Sequence, residues 1–182
     1  MSEKYKVHNP NGVYFITCTV VGWVDLFTRP CYKGIIINSL RYCINHKGLM
    51  VHAYVIMTSH IHMLVSAKHG FLLPSIIRDF KTYTSKQLVK EIQEVNESRK
   101  EWLLNKFAFE ANRKVRGKSF KLWRDGFHPV EILNGEMLYQ KLDYLHQNPV
   151  VEGIVDRAED YVYSSARDYL DMKGELEIEL IL

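Results

Sequence analysis

Cysteine is scarce in this sequence: Cys18, Cys31 and Cys43 are the only three in 182 residues. An odd number at those spacings suits neither a disulfide framework nor a zinc cage, so they read as buried apolar positions in a chain made for the reducing cytoplasm. No stretch reaches the ~18 consecutive apolar residues of a membrane span. The start, Met-Ser-Glu-Lys-Tyr-Lys, lacks the apolar centre of a signal peptide. A membrane partner is therefore not expected. Internal repeats and low-complexity linkers are also missing. What is present is ordinary for a soluble globular protein, 47% apolar and 25% charged residues. The length suits one domain over 1–182 ending in a short acidic tail.

Charge of one sign is not abundant either, since the net charge is only +3. Its placement carries more than its total. Arg113, Lys114, Arg116, Lys118, Lys121 and Arg124 form a basic run with no acidic residue, and Phe120 and Trp123 are interleaved. Cations hold phosphates and rings stack on bases, so Arg113, Lys114, Arg116, Lys118, Lys121, Trp123 and Arg124 form a candidate DNA-binding stretch. A solvated loop is the equally weighted alternative. The tail has Asp171, Glu175, Glu177 and Glu179 against Lys173 alone, which points nucleic acid away from the C-terminus.

Val13 to Val21, rich in β-branched and aromatic residues, predicts a first strand after the turn-like Asn9-Pro10-Asn11-Gly12. Ile35, Ile36, Leu40, Cys43 and Ile44 recur at helical spacing between Pro30 and the stop His46-Lys47-Gly48. Leu49 to Met57 and Ile61 to Ser66 read as a hairpin. Leu73 to Ile92 reads as a long helix with Ile76, Ile77, Phe80, Thr84 and Leu88 in one stripe. A strand at Phe127 to Leu133 completes a β-α-β-β-α-β order, that of an α+β ferredoxin-like sandwich: an antiparallel sheet with helices on one face. Asn134 then caps a helix expected to end near Gln147, because Pro149 biases Asn148 away from helical geometry. Residues 93–126 are placed only loosely.

His60-Ile61-His62 falls on the third strand, where side chains two apart share a face, so both imidazoles project together while Ile61, Met63 and Val65 face the core. Two neutral imidazoles can hold a divalent metal and leave positions open for a carboxylate or amide oxygen, water and a phosphate. The alternative is two histidines that fell by chance on the polar face of a strand. With no cysteine nearby, a metal here would be catalytic and exchangeable rather than structural.

On the last helix, Leu138, Leu142 and Leu145 form the apolar stripe, and Tyr144 shares another face with Lys141 and Asn148. A phenol with a pKa near ~10 needs help to act as a nucleophile at neutral pH, and Lys141 is placed to assist. A tyrosine at the core edge and a helix-ending asparagine are the plainer alternatives. Among the other tyrosines Tyr83 is the rival, but its place on the stripe of the long helix assigns it to core packing.

Met57-Thr58-Ser59-His60-Ile61-His62-Met63-Leu64, followed by Tyr144-Leu145-His146-Gln147-Asn148-Pro149-Val150-Val151-Glu152-Gly153-Ile154-Val155, resembles the single-tyrosine HUH transposases, and most closely the REP-associated tyrosine transposases. Tyr14-Phe15-Ile16-Thr17, Asp79-Phe80-Lys81, Leu122-Trp123 ahead of Phe127-His128, and Tyr163-Ser164-Ser165 fit in order, so the likeness covers about residues 5–170. It implies that His60 and His62 bind metal, that Tyr144 is the nucleophile, and that Asn148 supplies a third ligand where relatives carry Gln. It further implies Mg²⁺ or Mn²⁺, the HUH motif on a central strand, the nucleophile on a C-terminal helix, and often a homodimer. The implied substrate is single-stranded DNA with a hairpin, cut and rejoined through a 5′-phosphotyrosine in a bacterial-type cytoplasm, at the nucleoid when acting. Three other readings stand beside it. They are an HUH nuclease of the replication or mobilisation kind, a domesticated hairpin-binding protein that no longer transposes, and a metal hydrolase of small molecules.

Overall fold

Strand β1, Tyr14–Thr19, alternates as a strand buried on both faces must: Tyr14, Ile16 and Cys18 join one apolar cluster and Phe15 joins a second. The computed structural model describes residues 7–113 and 119–181. Helix α1, Pro30–His46, starts with the expected proline in its first turn and gives way to Gly48, whose φ of 68° and the Phe71 ring packed where a Cβ would stand both require glycine. Strands β2, Leu49–Ile56, and β3, His60–Ala67, form the anticipated hairpin, and helix α2, Leu73–Glu94, buries Ile76, Ile77, Phe80, Thr84 and Leu88. Helix α3, Lys100–Asn112, falls within the loosely placed stretch. Strand β4 is Val130–Glu131 and helix α4 is Gly135–Val151. Among the described residues no helix is long and apolar enough to cross a membrane.

The sheet is antiparallel with order β2-β3-β1-β4, the ferredoxin-like arrangement with β3 central. Helices α1, α2 and α3 pack on the face lined by Ile16, Ile61, Met63 and Val65. The sheet is not bare on its other side, as helices on one face alone would leave it. Leu138, Leu142 and Leu145 of α4 cover Phe15, Ala53, Val55 and Leu64 there, each leucine adding roughly 1.5–3 kcal/mol. A register shift between Val51 and Ala53 in β2 lets both faces of that strand stay apolar.

Two expectations need correction. β4 pairs with β1 at only two positions, because Gly126 and His128 take positive φ (72° and 46°) and Pro129 has no N–H to donate. α4 does not stop near Gln147 but runs through Pro149 to Val151. The Glu152 N–H donates to the Asn148 carbonyl at 3.0 Å, and reversal is left to Gly153 at φ 67°. The acidic tail is not loose. Leu176 is buried, the Glu179 N–H donates to the Val51 carbonyl at 2.9 Å and the Arg41 guanidinium donates to the Glu175 carbonyl at 2.9 Å.

Candidate active site

The face of β3 turned toward α4 carries His60 and His62, with ring centres 4.6 Å apart. Each imidazole has a hydroxyl on Nδ1. Thr17 Oγ1 lies 2.9 Å from His62 Nδ1, across the Thr17–His62 pair of the β1–β3 ladder, and Ser59 Oγ lies 3.1 Å from His60 Nδ1. With Nδ1–H donated to these hydroxyls, both Nε2 lone pairs are left for a ligand. Burial, the neighbouring His60 and the Lys141 ammonium push His62 down to about 3, so it is neutral at physiological pH. Burial lowers His60 as well, against the opposing pull of the Glu152 and Asp25 carboxylates.

Tyr144 projects from α4 onto this pair. Its hydroxyl is 3.5 Å from His62 Nε2, its ring meets the His62 ring edge-on at 5.4 Å, and 49% of the residue is exposed to solvent. Phe15 supports both, stacked on His62 at 5.2 Å and edge-on to Tyr144 at 6.0 Å. The Lys141 ammonium lies 5.1 Å from the Phe15 ring centre and so joins the same group. Because α4 is continuous through Pro149, Asn148 follows Tyr144 by four residues on one helical face, and it is buried. Among the described residues no three His, Cys, Asp or Glu side chains form a metal-sized group. Tyr83, the rival tyrosine, is 56% exposed on α2 rather than packed in the core, and α2 lies across the sheet from the histidines.

The basic run divides. Lys114, Arg116 and Lys118 lie outside the described residues. Arg113 ends α3 beside Glu110 at 3.5 Å, and Lys121 pairs with Asp125 at 2.7 Å. Arg124 is exposed, its guanidinium carbon 5.7 Å from the Trp23 ring centre. Trp123 is not free to stack on bases: it is a core residue between Phe27 and Phe80, and its indole N–H donates to Thr84 Oγ1 at 3.0 Å. The motif Tyr163-Ser164-Ser165 is architectural, since it hydrogen-bonds along β2 through the Ile56 N–H to the Tyr163 carbonyl and the Ser165 N–H to the Tyr54 carbonyl. His146, bonded to Ser165 Oγ at 2.9 Å and pushed down to about 4 by burial, belongs to that support. Thr17, Ser59 and Trp23, whose ring lies 5.5 Å from His60, were not singled out by sequence reasoning; their roles depend on strand register and loop packing.

Comparison with known proteins bears on the fold and the family. A curated protein of Haemophilus influenzae, provisionally named a REP-associated tyrosine transposase, is 24% identical over 177 residues, 97% of this chain and 90% of that protein. A solved structure of a REP-associated tyrosine transposase bound to a REP hairpin superposes with a TM-score of 0.66 at 16% identity, over 100% of this chain and 94% of the other. The family model described as IS200-like transposase matches residues 24–118, which take in His60 and His62 and stop short of Tyr144. The chain belongs to the IS200-like transposase family.

Proposed function

We propose that this chain is a metal-dependent single-strand DNA endonuclease and strand transferase acting on hairpin-containing DNA, with Tyr144 as nucleophile. The observation that carries the reading is the Tyr144 hydroxyl 3.5 Å from His62 Nε2, with Lys141 in the same group. The donor set fits a hard divalent cation. Two imidazole nitrogens and one amide oxygen make a mixed set that Mn²⁺ accepts more readily than Mg²⁺, which prefers oxygen and would rely on water and phosphate oxygens for the rest of its shell. His60, His62 and Asn148 would hold that cation, which when bound supplies Lewis-acid polarisation of the scissile phosphate.

The Tyr144 hydroxyl, exposed to solvent, gives up its proton to water, and its oxygen forms the new bond to phosphorus while the bond from phosphorus to the 3′ oxygen breaks. The products are a 5′-phosphotyrosine and, after the leaving oxygen takes a proton, a 3′-hydroxyl. Lys141 offsets the negative charge on the phenolate and the phosphate oxygens. A second 3′-hydroxyl attacking the phosphotyrosine reverses the step and joins new ends without ATP. The family resemblance adds a homodimer to this reading. Incubation with a hairpin oligonucleotide carrying single-stranded flanks and Mn²⁺ is expected to give a detergent-stable protein–DNA adduct that Tyr144→Phe abolishes. Band shifts without any cleavage by the unmutated chain would instead support a domesticated hairpin binder.

A further inference from the structure

Beside His60, the segment after β1 turns sharply to present an indole to solvent. Gly22 and Trp23 both take positive φ, 66° and 55°. A bulky residue in that region is strained, and such strain gathers where side chains are held for function. Trp23 is 56% exposed, and across a cleft of about 370 Å³ stands Trp102 of α3, 54% exposed. Trp123, the remaining tryptophan, is 5% exposed, so the fold buries an indole where packing calls for one. Arg99, Lys106 and Asp25 also line the cleft, with the Arg99 guanidinium paired to Glu97 at 3.3 Å, and Arg124 lies against the Trp23 ring. Among the described residues the Lys106 ammonium makes a loose contact to Glu110 at 3.7 Å. Gly22 permits the close approach of loop and helix, because a Cβ there would meet Lys106 Cε at 2.9 Å.

The cleft is fixed to the histidine hairpin. The Val20 N–H donates to the Ser59 carbonyl at 2.9 Å, the Phe27 N–H to the Thr58 carbonyl at 2.7 Å, and the Thr58 hydroxyl to the Asp25 carboxylate at 2.7 Å. Arg99 donates to the Asp25 carbonyl at 2.9 Å and so ties in the start of α3. Two exposed indoles with the Lys106 and Arg124 cations beside them match the recognition chemistry of unpaired nucleobases, whose π-faces stack while the backbone phosphates meet the positive charge.

We propose that the Trp23–Trp102 cleft is a base-stacking subsite that holds an unpaired nucleotide of single-stranded DNA next to the His60–His62 site. The subsite deepens the function proposed above and rests on it for the identity of its ligand. Its test uses the full chain carrying Tyr144→Phe, in chelator, with two fluorescent probes: oligo-dA and an abasic oligonucleotide of equal length. The parent is expected to bind oligo-dA roughly 5- to 100-fold more tightly than the abasic strand. Trp102→Ala should remove that preference while leaving abasic binding and the melting temperature unchanged, and Trp102→Tyr should restore most of it. Oligo-dA should quench the tryptophan fluorescence of the parent far more than that of Trp102→Ala. Equal affinity of the parent for both probes, or a preference and quench that survive Trp102→Ala, would overturn the subsite. Adduct formation by the unmutated chain, run in parallel, reports on Tyr144 alone. An adduct without base preference sinks the cleft and spares the nucleophile; base preference without an adduct does the reverse.

Discussion

His62 is held on three sides by Thr17 at Nδ1, Phe15 against its face and Tyr144 near Nε2, so its orientation is set before any ligand arrives. Thr17→Val keeps the shape of the β-branched side chain but removes the Nδ1 partner. Mn²⁺ affinity by calorimetry is expected to fall roughly 10–100-fold with the fold intact, and an unchanged affinity would remove Thr17 from the site. That His60 and His62 share a face is legible from period-two spacing alone, whereas spacing leaves Tyr144 a plain core-edge tyrosine and only the family resemblance marks it out. Thr17 is not legible, since its role exists only once β1 and β3 pair in one register. Trp123 was misread for the opposite reason: its basic neighbours suggested a DNA surface, while the core took the indole.

At the scale of elements, α4 carries the proposed chemistry, and its start is secured by the Asn134 side chain accepting the Met137 N–H at 2.8 Å. Asn134→Ala is expected to cost about 1 kcal/mol in urea unfolding and to leave adduct formation unimpaired, since Tyr144 lies turns away from the cap. The stripes of α1, α2 and α4 announced those helices correctly. α3 escaped notice because only Leu103, Phe107 and Ala111 of its thirteen residues are buried, too sparse a stripe among polar neighbours. β4 was overestimated because apolar residues around Pro129 look like a strand while the backbone there bends. Pro149 reads as a stop in sequence, yet the packing of α4 on the sheet carries the helix past it and keeps Asn148 on the face of Tyr144.

In the molecule as a whole, two apolar clusters share one sheet, so we expect residues 1–182 to unfold as one unit, with far-ultraviolet circular dichroism and tryptophan fluorescence tracing the same urea transition. The buried histidines set its pH dependence. His62 at about 3 and His146 at about 4 both lie below the 6.5 of an exposed histidine, so between those limits the unfolded chain binds more protons. The contribution of these two histidines is therefore full above about pH 6.5 and is lost as the pH drops, by up to ~1.4 kcal/mol per unit for each. His146→Gln should flatten the slope of the urea midpoint between pH 6.5 and 5, and an unaltered slope would contradict the burial assigned to His146.

On the proposed mechanism a single phenol, that of Tyr144, becomes covalently bonded to DNA. Proteolysis of the adduct formed with Mn²⁺ and a hairpin oligonucleotide, followed by mass spectrometry, tests it most directly. A nucleotide is expected on the peptide containing Tyr144 and on no other tyrosine peptide; a nucleotide on Tyr83 or another tyrosine, or cleavage with no covalent adduct, would overturn the assignment.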